Sequence, residues 1–331
     1  MRSFICNRNH KLIFGFIQKG TKVIKFYKHS EINRESWNEC IRSAQLSTIF
    51  VEFDFLSIAN PSWDALVDDD YQAVMPLPWR SRCGFRYIYS PFFLMRLGIF
   101  SAKGITAEKV AEFVQAIPCK FVQTELVLNE FNPADALRAD ISEMVTHRLR
   151  LHLPYPQLSE MYTTNHKRNV KAAQKFALTI DTDIPAEETI ALFRNNRGRD
   201  KNIKMKDVDY GFFLRMAQYA REHGLLDSWG VRDDAGKLIA GACFLHDNNR
   251  IYFWFSGRNE QCAEKKAMFF LMDEYIHRHA NQPYILDFCG SKDENVARFY
   301  HGFGGERSTY PHITCRNALL TPLIKLYKSF R

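Results

Sequence analysis

No apolar run in this chain approaches the length of a membrane span, so no hydrophobic helix of that kind organises it. No stretch repeats at a fixed period and none is of low complexity, which argues against solenoid and fibrous designs. A secretory leader is not visible either. The apolar stretch Leu12–Ile17 is short and is followed by lysines rather than by a cleavage site. The eight cysteines include no C-x-x-C pair and no cluster with zinc-ligand spacing, so no metal ligand set is read from the sequence. Several cysteines, such as Cys243 in LIAGACFL, sit in apolar runs. They are read as reduced, mostly buried thiols, and a cytoplasmic location is the expectation.

The chain does carry ample core material. Hydrophobic residues make up 46% of its 331 residues, and 27 of them are phenylalanine, enough for two cores. The formal charge of +8 fits an anionic partner such as nucleotide phosphates, RNA or acidic lipid headgroups. It equally fits a basic surface with no specific role, and DNA is not expected as a partner. The C-terminal LLTPLIKLYKSFR is amphipathic and basic. It is read as a packed terminal helix or as a point of peripheral membrane contact.

Pro154 and Pro156 in HLPYPQ mark an extended connector, which divides the chain into lobes at 1–152 and 153–331. The first lobe reads as mixed α/β. Helices are expected at Glu35–Ala44 and Thr106–Ala116, with Thr106 as N-cap. Strands are expected at Tyr71–Leu77, Phe85–Tyr89 and Phe121–Leu128. In the second lobe a long basic helix is expected over Ser159–Ala177, and another helix over Tyr210–Glu222. A hairpin follows, Asp227–Arg232 and Leu238–Leu245, turning at Asp233–Gly236. Then come strand Arg250–Phe255, helix Lys265–Ala280, strand Tyr284–Phe288, helix Asp293–Phe303 and strand Thr309–Cys315. The fold class is therefore α/β with a mixed sheet, and ligands in such sheets settle where parallel neighbours part.

That order resembles the GNAT (N-acetyltransferase) fold. The sharpest local likeness is in NVARFYHGFG, where Asn295, Ala297, Phe299, Tyr300, Gly302, Phe303 and Gly304 resemble the late GNAT helix. The polar YTTNHKRNVKAAQK, Tyr162–Lys175, resembles the helix opening the second lobe of Fem-type peptidoglycan aminoacyl ligases. WDALVDDDYQAVMPLP, RLGIF and ILDFCGSKDENVARFYHGFGGE are similar to segments of Fem-like proteins with two GNAT-like lobes. The resemblance spans roughly residues 21 to 315 and implies acyl transfer to an amine. Two features depart from the pattern. The segment SGRNEQCAEKKAMFF has a single glycine, Gly257, where coenzyme A-binding members carry a glycine pair. The long helical insertion of some Fem-type ligases is absent, and Tyr300 stands where they tend to have lysine.

Acyl transfer requires a deprotonated amine, a stabilised oxyanion and a protonated leaving group. The resemblance makes Tyr300 the candidate general acid, with a packed core tyrosine as the competing reading. Asp287, at a strand end before Cys289-Gly290-Ser291, is a candidate base, acting directly or through water, or else a loop cap. Phe255, Ser256, Gly257 and Arg258 would face the donor, with Lys265 and Lys266 reaching its phosphates. Lys167, Arg168 and Lys171, with Trp254 and Ser291, are the candidate acceptor or tRNA contacts. Solvated surface is the alternative for the basic groups. No tightly bound cofactor is expected. The co-substrate is an acyl-CoA or similar thioester, or else an aminoacyl-tRNA, and the acceptor is a small molecule or a cell-wall precursor. A catalytically silent binding protein is the third reading.

Overall fold

The computed structural model describes residues 24–316 except 69, 202, 204, 291 and 292. Leu12–Ile17, Cys6, Ser291 and the basic C-terminal segment lie outside the described residues. The chain forms two compact units, Met1–Met144 with Tyr310–Arg331, and Val145–Thr309. The division falls within the strand Asp140–Arg150, and residues 310–316 belong to the first unit. Pro154 and Pro156 do not hold an extended connector. Pro154 is the N-cap of the short helix Tyr155–Glu160, and Pro156 lies in its first turn, where the missing amide costs nothing.

The first unit contains β1 Ile24–Tyr27, α1 Arg34–Ser43, α2 Phe53–Ala59, β2 Trp63–Asp68, β3 Ala73–Arg82, β4 Phe85–Ile88, β5 Phe100–Ser101, α3 Ala107–Gln115 and β6 Phe121–Val127. Thr106 caps α3 as expected, its hydroxyl accepting from the Lys109 amide. The strands run in the order β1-β2-β3-β4-β6, with β5 on β3 and residues His312–Arg316 beside β6. β2 is buried at every position, so it shows no alternation that would announce it in the sequence. Pro76 and Pro78 stand inside β3 instead of ending it. Both oppose β2 residues, while the Trp79 amide donates to Ser62. By alternation the two missing amides face the other flank, which β4 joins only from Trp79 onward.

β7, Asp140–Arg150, leads into the second unit. That unit contains α4 Tyr155–Glu160, α5 Thr164–Ala173, β8 Thr179–Asp181, α6 Ala186–Asn195, α7 Asp207–Glu222, β9 Leu226–Arg232, β10 Leu238–Asp247, β11 Arg250–Arg258, α8 Glu260–Lys265, α9 Ala267–Arg278, β12 Ile285–Asp287 and α10 Glu294–Gly302. β13, Glu306–Arg316, closes the described chain. Its sheet runs β8-β9-β10-β11-β12 and then the Arg148–Arg150 end of β7. Among the described strands of this sheet β11 and β12 pair in parallel and the other strand pairs are antiparallel, with one isolated parallel bridge from Asp183 to Ser228. Gly241 lies under Thr189 of α6, whereas the next residue, Ala242, joins the cluster of Leu271, Met272, Tyr275 and Ile276 from α9. Helices therefore cover both faces of the sheet.

Two long helices expected from the sequence are broken. The basic segment Ser159–Ala177 divides between α4 and α5. Thr163 caps α5 by accepting from the His166 amide. Lys265–Ala280 breaks at Lys266, whose left-handed backbone (φ 57°) ends α8 and starts α9. α6 was not anticipated, although Pro185 followed by Glu187 and Glu188 is a helix-start signal. Among the described cysteines, Cys40, Cys83, Cys243, Cys262, Cys289 and Cys315 are free thiols. Cys83 is exposed, and Cys119 is disulfide-bonded, so the expectation of reduced and mostly buried thiols does not hold throughout.

Candidate active site

β12 pairs with β11 over three positions only: Arg250 with Ile285, Ile251 with Leu286, and Tyr252 with Asp287. β12 then ends, while β11 runs on to Arg258. The chain turns away through Cys289 (φ 61°) and Gly290 (φ 77°) and re-enters helix at α10. Asp293 caps that helix by accepting from the Asn295 and Val296 amides. One face of α10 returns Tyr300 to the place where the strands part. Its ring is stacked on Phe288 (4.9 Å, 21°) and edge-on to Phe253 (6.0 Å, 84°). Among the described residues no group hydrogen-bonds its hydroxyl. Burial, with a smaller contribution from nearby Cys289, pushes the phenol well above its ordinary value. Tyr300 is therefore neutral across the physiological range and holds a proton it can donate.

Asp287 is fully buried. Its Oδ1 accepts from Thr146 Oγ1 (2.7 Å) and from the Cys289 amide (2.9 Å). Its Oδ2 accepts from Arg148 Nε (3.0 Å) and lies 3.8 Å from Arg250 Nη1. This carboxylate ties β7, β11 and β12 together directly beneath the parting, with hydrogen bonds on both oxygens.

The remaining candidates are placed as follows. A bulge opposite Cys243/Phe244 puts Trp254 and Phe255 on the same side of the sheet, where both pack on Phe213 of α7. They belong to the core, at 4% and 9% exposure, although the sequence reading had them facing ligands. Gly257 lies beneath α6: an added Cβ would stand 2.6 Å from the Phe193 amide nitrogen. The single glycine of the segment thus serves close helix-on-strand packing rather than an approach to phosphate. Gly257→Ala is expected to lower stability by about 1–3 kcal/mol, measured by chemical denaturation.

Ser256 is half-buried and Arg258 is exposed. Lys265 is held by the β9–β10 turn, 2.7 Å from Asp234 and 3.4 Å from Asp233, and Lys266 is half-buried at the helix junction. Cys262 is buried in α8, and burial pushes its thiol above the ordinary value. The start of α9, where contacts to donor phosphates are expected, follows directly on α8 through the left-handed Lys266. Lys167, Arg168 and Lys171 are exposed along α5, and Lys167 Nζ donates to the Glu160 carbonyl. In the basic run that follows α6, Arg194 pairs with Asp207 and Arg197 with Asp293, each at 2.8 Å.

Two histidines outside the predicted site residues stand close to α10. His166, on the inner face of α5, bonds Thr163 Oγ1 (3.0 Å) and the Phe299 carbonyl (2.9 Å). Its ring fills the place where a Cβ on Gly302 would stand, which accounts for glycine at that point of α10. His147 of β7 is buried, 6.4 Å from the Tyr300 ring and 6.0 Å from His301, and among the described residues its Nδ1 has no hydrogen-bond partner. Their wide separation in sequence from α10 gave no signal. Burial is the largest cause holding both imidazoles below their ordinary value. The unfolded chain takes up protons near pH 6.5 that the folded chain refuses, so stability is lost as pH falls through that value. The melting temperature is expected to drop between pH 7 and pH 5, and a flat thermal profile over that interval would contradict this reading.

Residues 162–296 match the family model described as acetyltransferase (GNAT) domain. The structure is similar to the crystal structure of FemX, with a TM-score of 0.65 and 12% identity, covering 88% of this chain and 98% of that one. It is also similar to a conserved protein of unknown function from Bacteroides thetaiotaomicron (TM-score 0.56, 10% identity, 89% of this chain and 100% of that one). A third similar structure is the C-terminal domain of a putative lysylphosphatidylglycerol synthetase from Agrobacterium fabrum (TM-score 0.54, 10% identity, 88% of this chain and 94% of that one). No curated protein matches the sequence. The fold is a GNAT fold, mixed α/β in class. More narrowly, it is the Fem-type form of that fold. Among the described residues no helix is long and apolar enough to cross a membrane.

Proposed function

We propose that this chain transfers an acyl or aminoacyl group from an activated donor to an amine, at the parting of β11 and β12, with Tyr300 as general acid. The observation that carries this is the return of Tyr300 by α10 onto Phe288 and Phe253, where the parallel pair ends. In the reaction the amine nitrogen attacks the donor carbonyl and the carbonyl–donor bond breaks. The phenol proton then passes to the departing atom, and the proton shed by the amine nitrogen restores the phenol, so that tyrosine and leaving group both end neutral. Asp287 acts as a positioning residue, since both its oxygens are already engaged.

The donor class favoured by the geometry is an aminoacyl ester carried on tRNA. The β11–α9 connection is helical and its glycine is packed under α6. A connection of that form presents no glycine-lined nest for a pyrophosphate among the described residues. Arg168, Lys171, Arg258 and Lys266 would supply the contacts to nucleic-acid phosphate. A phenol held above its ordinary value also yields its proton more readily to a ribose alkoxide than to a thiolate, whose acid lies near about 8.5. The similarity to FemX and to the lysylphosphatidylglycerol synthetase domain accords with this reading, and it leaves a cell-wall precursor or lipid headgroup as the acceptor class. A thioester donor is the second reading, favoured by the match to the acetyltransferase domain model.

The test is a thermal-shift panel on the full chain at low salt, with CoA, acyl-CoAs and charged tRNA. Stabilisation by charged tRNA that fades as salt rises is the expected result. Stabilisation by acyl-CoA with release of free thiol would establish the second reading, and no shift with any donor would end both.

A further inference from the structure

Away from Tyr300, at the far end of α9, four side chains converge that the transfer reaction does not use. Asp227 of β9 and His246 of β10 are diagonal neighbours on one face of the hairpin, because Asp227 lies opposite Phe244. The last turn of α9 adds Tyr275 and its C-cap residue His279, one helical turn apart. Asp227 Oδ2 lies 2.7 Å from His246 Nε2, 2.7 Å from the Tyr275 hydroxyl and 3.7 Å from His279 Nε2. The Tyr275 hydroxyl is also 3.1 Å from His246 Nε2. One ligand atom from each of Asp227, His246 and His279 lies within 4.8 Å of the other two.

The tautomer of His279 decides what this cluster can hold. Its Nδ1 is 2.9 Å from the Tyr275 carbonyl oxygen. A carbonyl only accepts, so Nδ1 carries the hydrogen, and in the neutral imidazole Nε2 presents a lone pair. That lone pair faces a carboxylate oxygen, which also offers only lone pairs. In that state a cation between the two acceptors satisfies both. The backbone carbonyl on the distal nitrogen is the support that metal-bound histidines ordinarily have. The end of α9 also contributes the negative pole of its helix dipole. The separations of 2.7 and 3.7 Å bracket the about 3.3 Å expected between two ligands on a tetrahedral zinc with bonds of about 2.0–2.1 Å.

We propose that Asp227, His246 and His279 form a divalent-cation site of the zinc class. Two imidazoles and one carboxylate suit that ion, with a water completing the set. Side-chain exposures of 34% for Asp227 and 22% for His246 leave a route to solvent for ion and water. The site lies at the opposite end of α9 from Lys266, about 18 Å along the helix. Its role is to clamp the β9–β10 hairpin to α9, not to act on the transferred group. The inference is independent of the donor and of the transfer chemistry.

The experiment uses the full chain, stripped with a chelator and then dialysed against Zn²⁺ or Co²⁺. One ion bound per chain, a raised melting temperature and visible absorption of four-coordinate cobalt are the expected results. D227N and H279Q, each shown to be folded by circular dichroism, should bind at least tenfold more weakly and lose the cobalt absorption. The cobalt spectrum of the unaltered chain tests the site even if a variant fails to fold. Absence of stoichiometric binding, a cobalt spectrum of six-coordinate type, or binding unchanged in both variants would overturn the proposal.

Discussion

Tyr300→Phe is expected to reduce turnover by about 100-fold or more, the usual size of a lost general acid, while leaving stability within about 0.5 kcal/mol. The two expectations have one origin. The phenol ring is the packed part, stacked on Phe288 and edge-on to Phe253, and phenylalanine keeps it. The hydroxyl makes no hydrogen bond among the described residues, so its removal leaves no buried partner unsatisfied. A core tyrosine retained for packing would tolerate the change in both measurements. Steady-state kinetics with the donor identified by thermal shift, together with denaturant unfolding, separate the cases. Undiminished turnover removes Tyr300 from the mechanism.

Asp287→Ala is expected to show the opposite profile, a loss of about 3–5 kcal/mol in folding free energy. The carboxylate is fully buried and draws together Thr146, Arg148 and Arg250 from two neighbouring strands. Its removal leaves the charge of those guanidiniums in a dry site without the group they share. Asp287→Asn keeps an acceptor for Thr146 but no charge, and should fall between the alanine variant and the unaltered chain. Urea denaturation measures the series. If the alanine variant keeps its stability and loses only turnover, Asp287 takes part in the reaction and the positioning role is wrong.

The two variants also show how far a sequence carries the argument for each residue. The helix NVARFYHGFG is legible as a local pattern of apolar stripe and terminating glycine, but only the resemblance to the late GNAT helix singles out Tyr300 on it. Asp287 was singled out by its place at a strand end, and its partners were out of reach. Thr146 and Arg148 lie some 140 positions earlier, on a strand whose alternation says nothing about which neighbour it will choose. The misplacement of Trp254 and Phe255 has a similar origin. A one-residue bulge in β11 reverses the alternation, and no feature of RIYFWF announces it. Lys265 was read as a phosphate ligand from its position at a helix start. Its partners Asp233 and Asp234 come from a turn more than thirty residues away.

From its sequence alone this chain determined its mixed α/β class, the order of the main strands and helices in the second unit, the hairpin at Asp233–Gly236 and the identity of the helix that bears Tyr300. These depend on periodicity, capping and turn chemistry, which act over a few residues. Only the tertiary structure decided where β11 and β12 part, that Gly257 lies under α6, that Lys266 breaks the helix between α8 and α9, and that Asp227, His246 and His279 meet. Those outcomes follow from contacts between elements far apart in the chain, where the partner is chosen by packing and register.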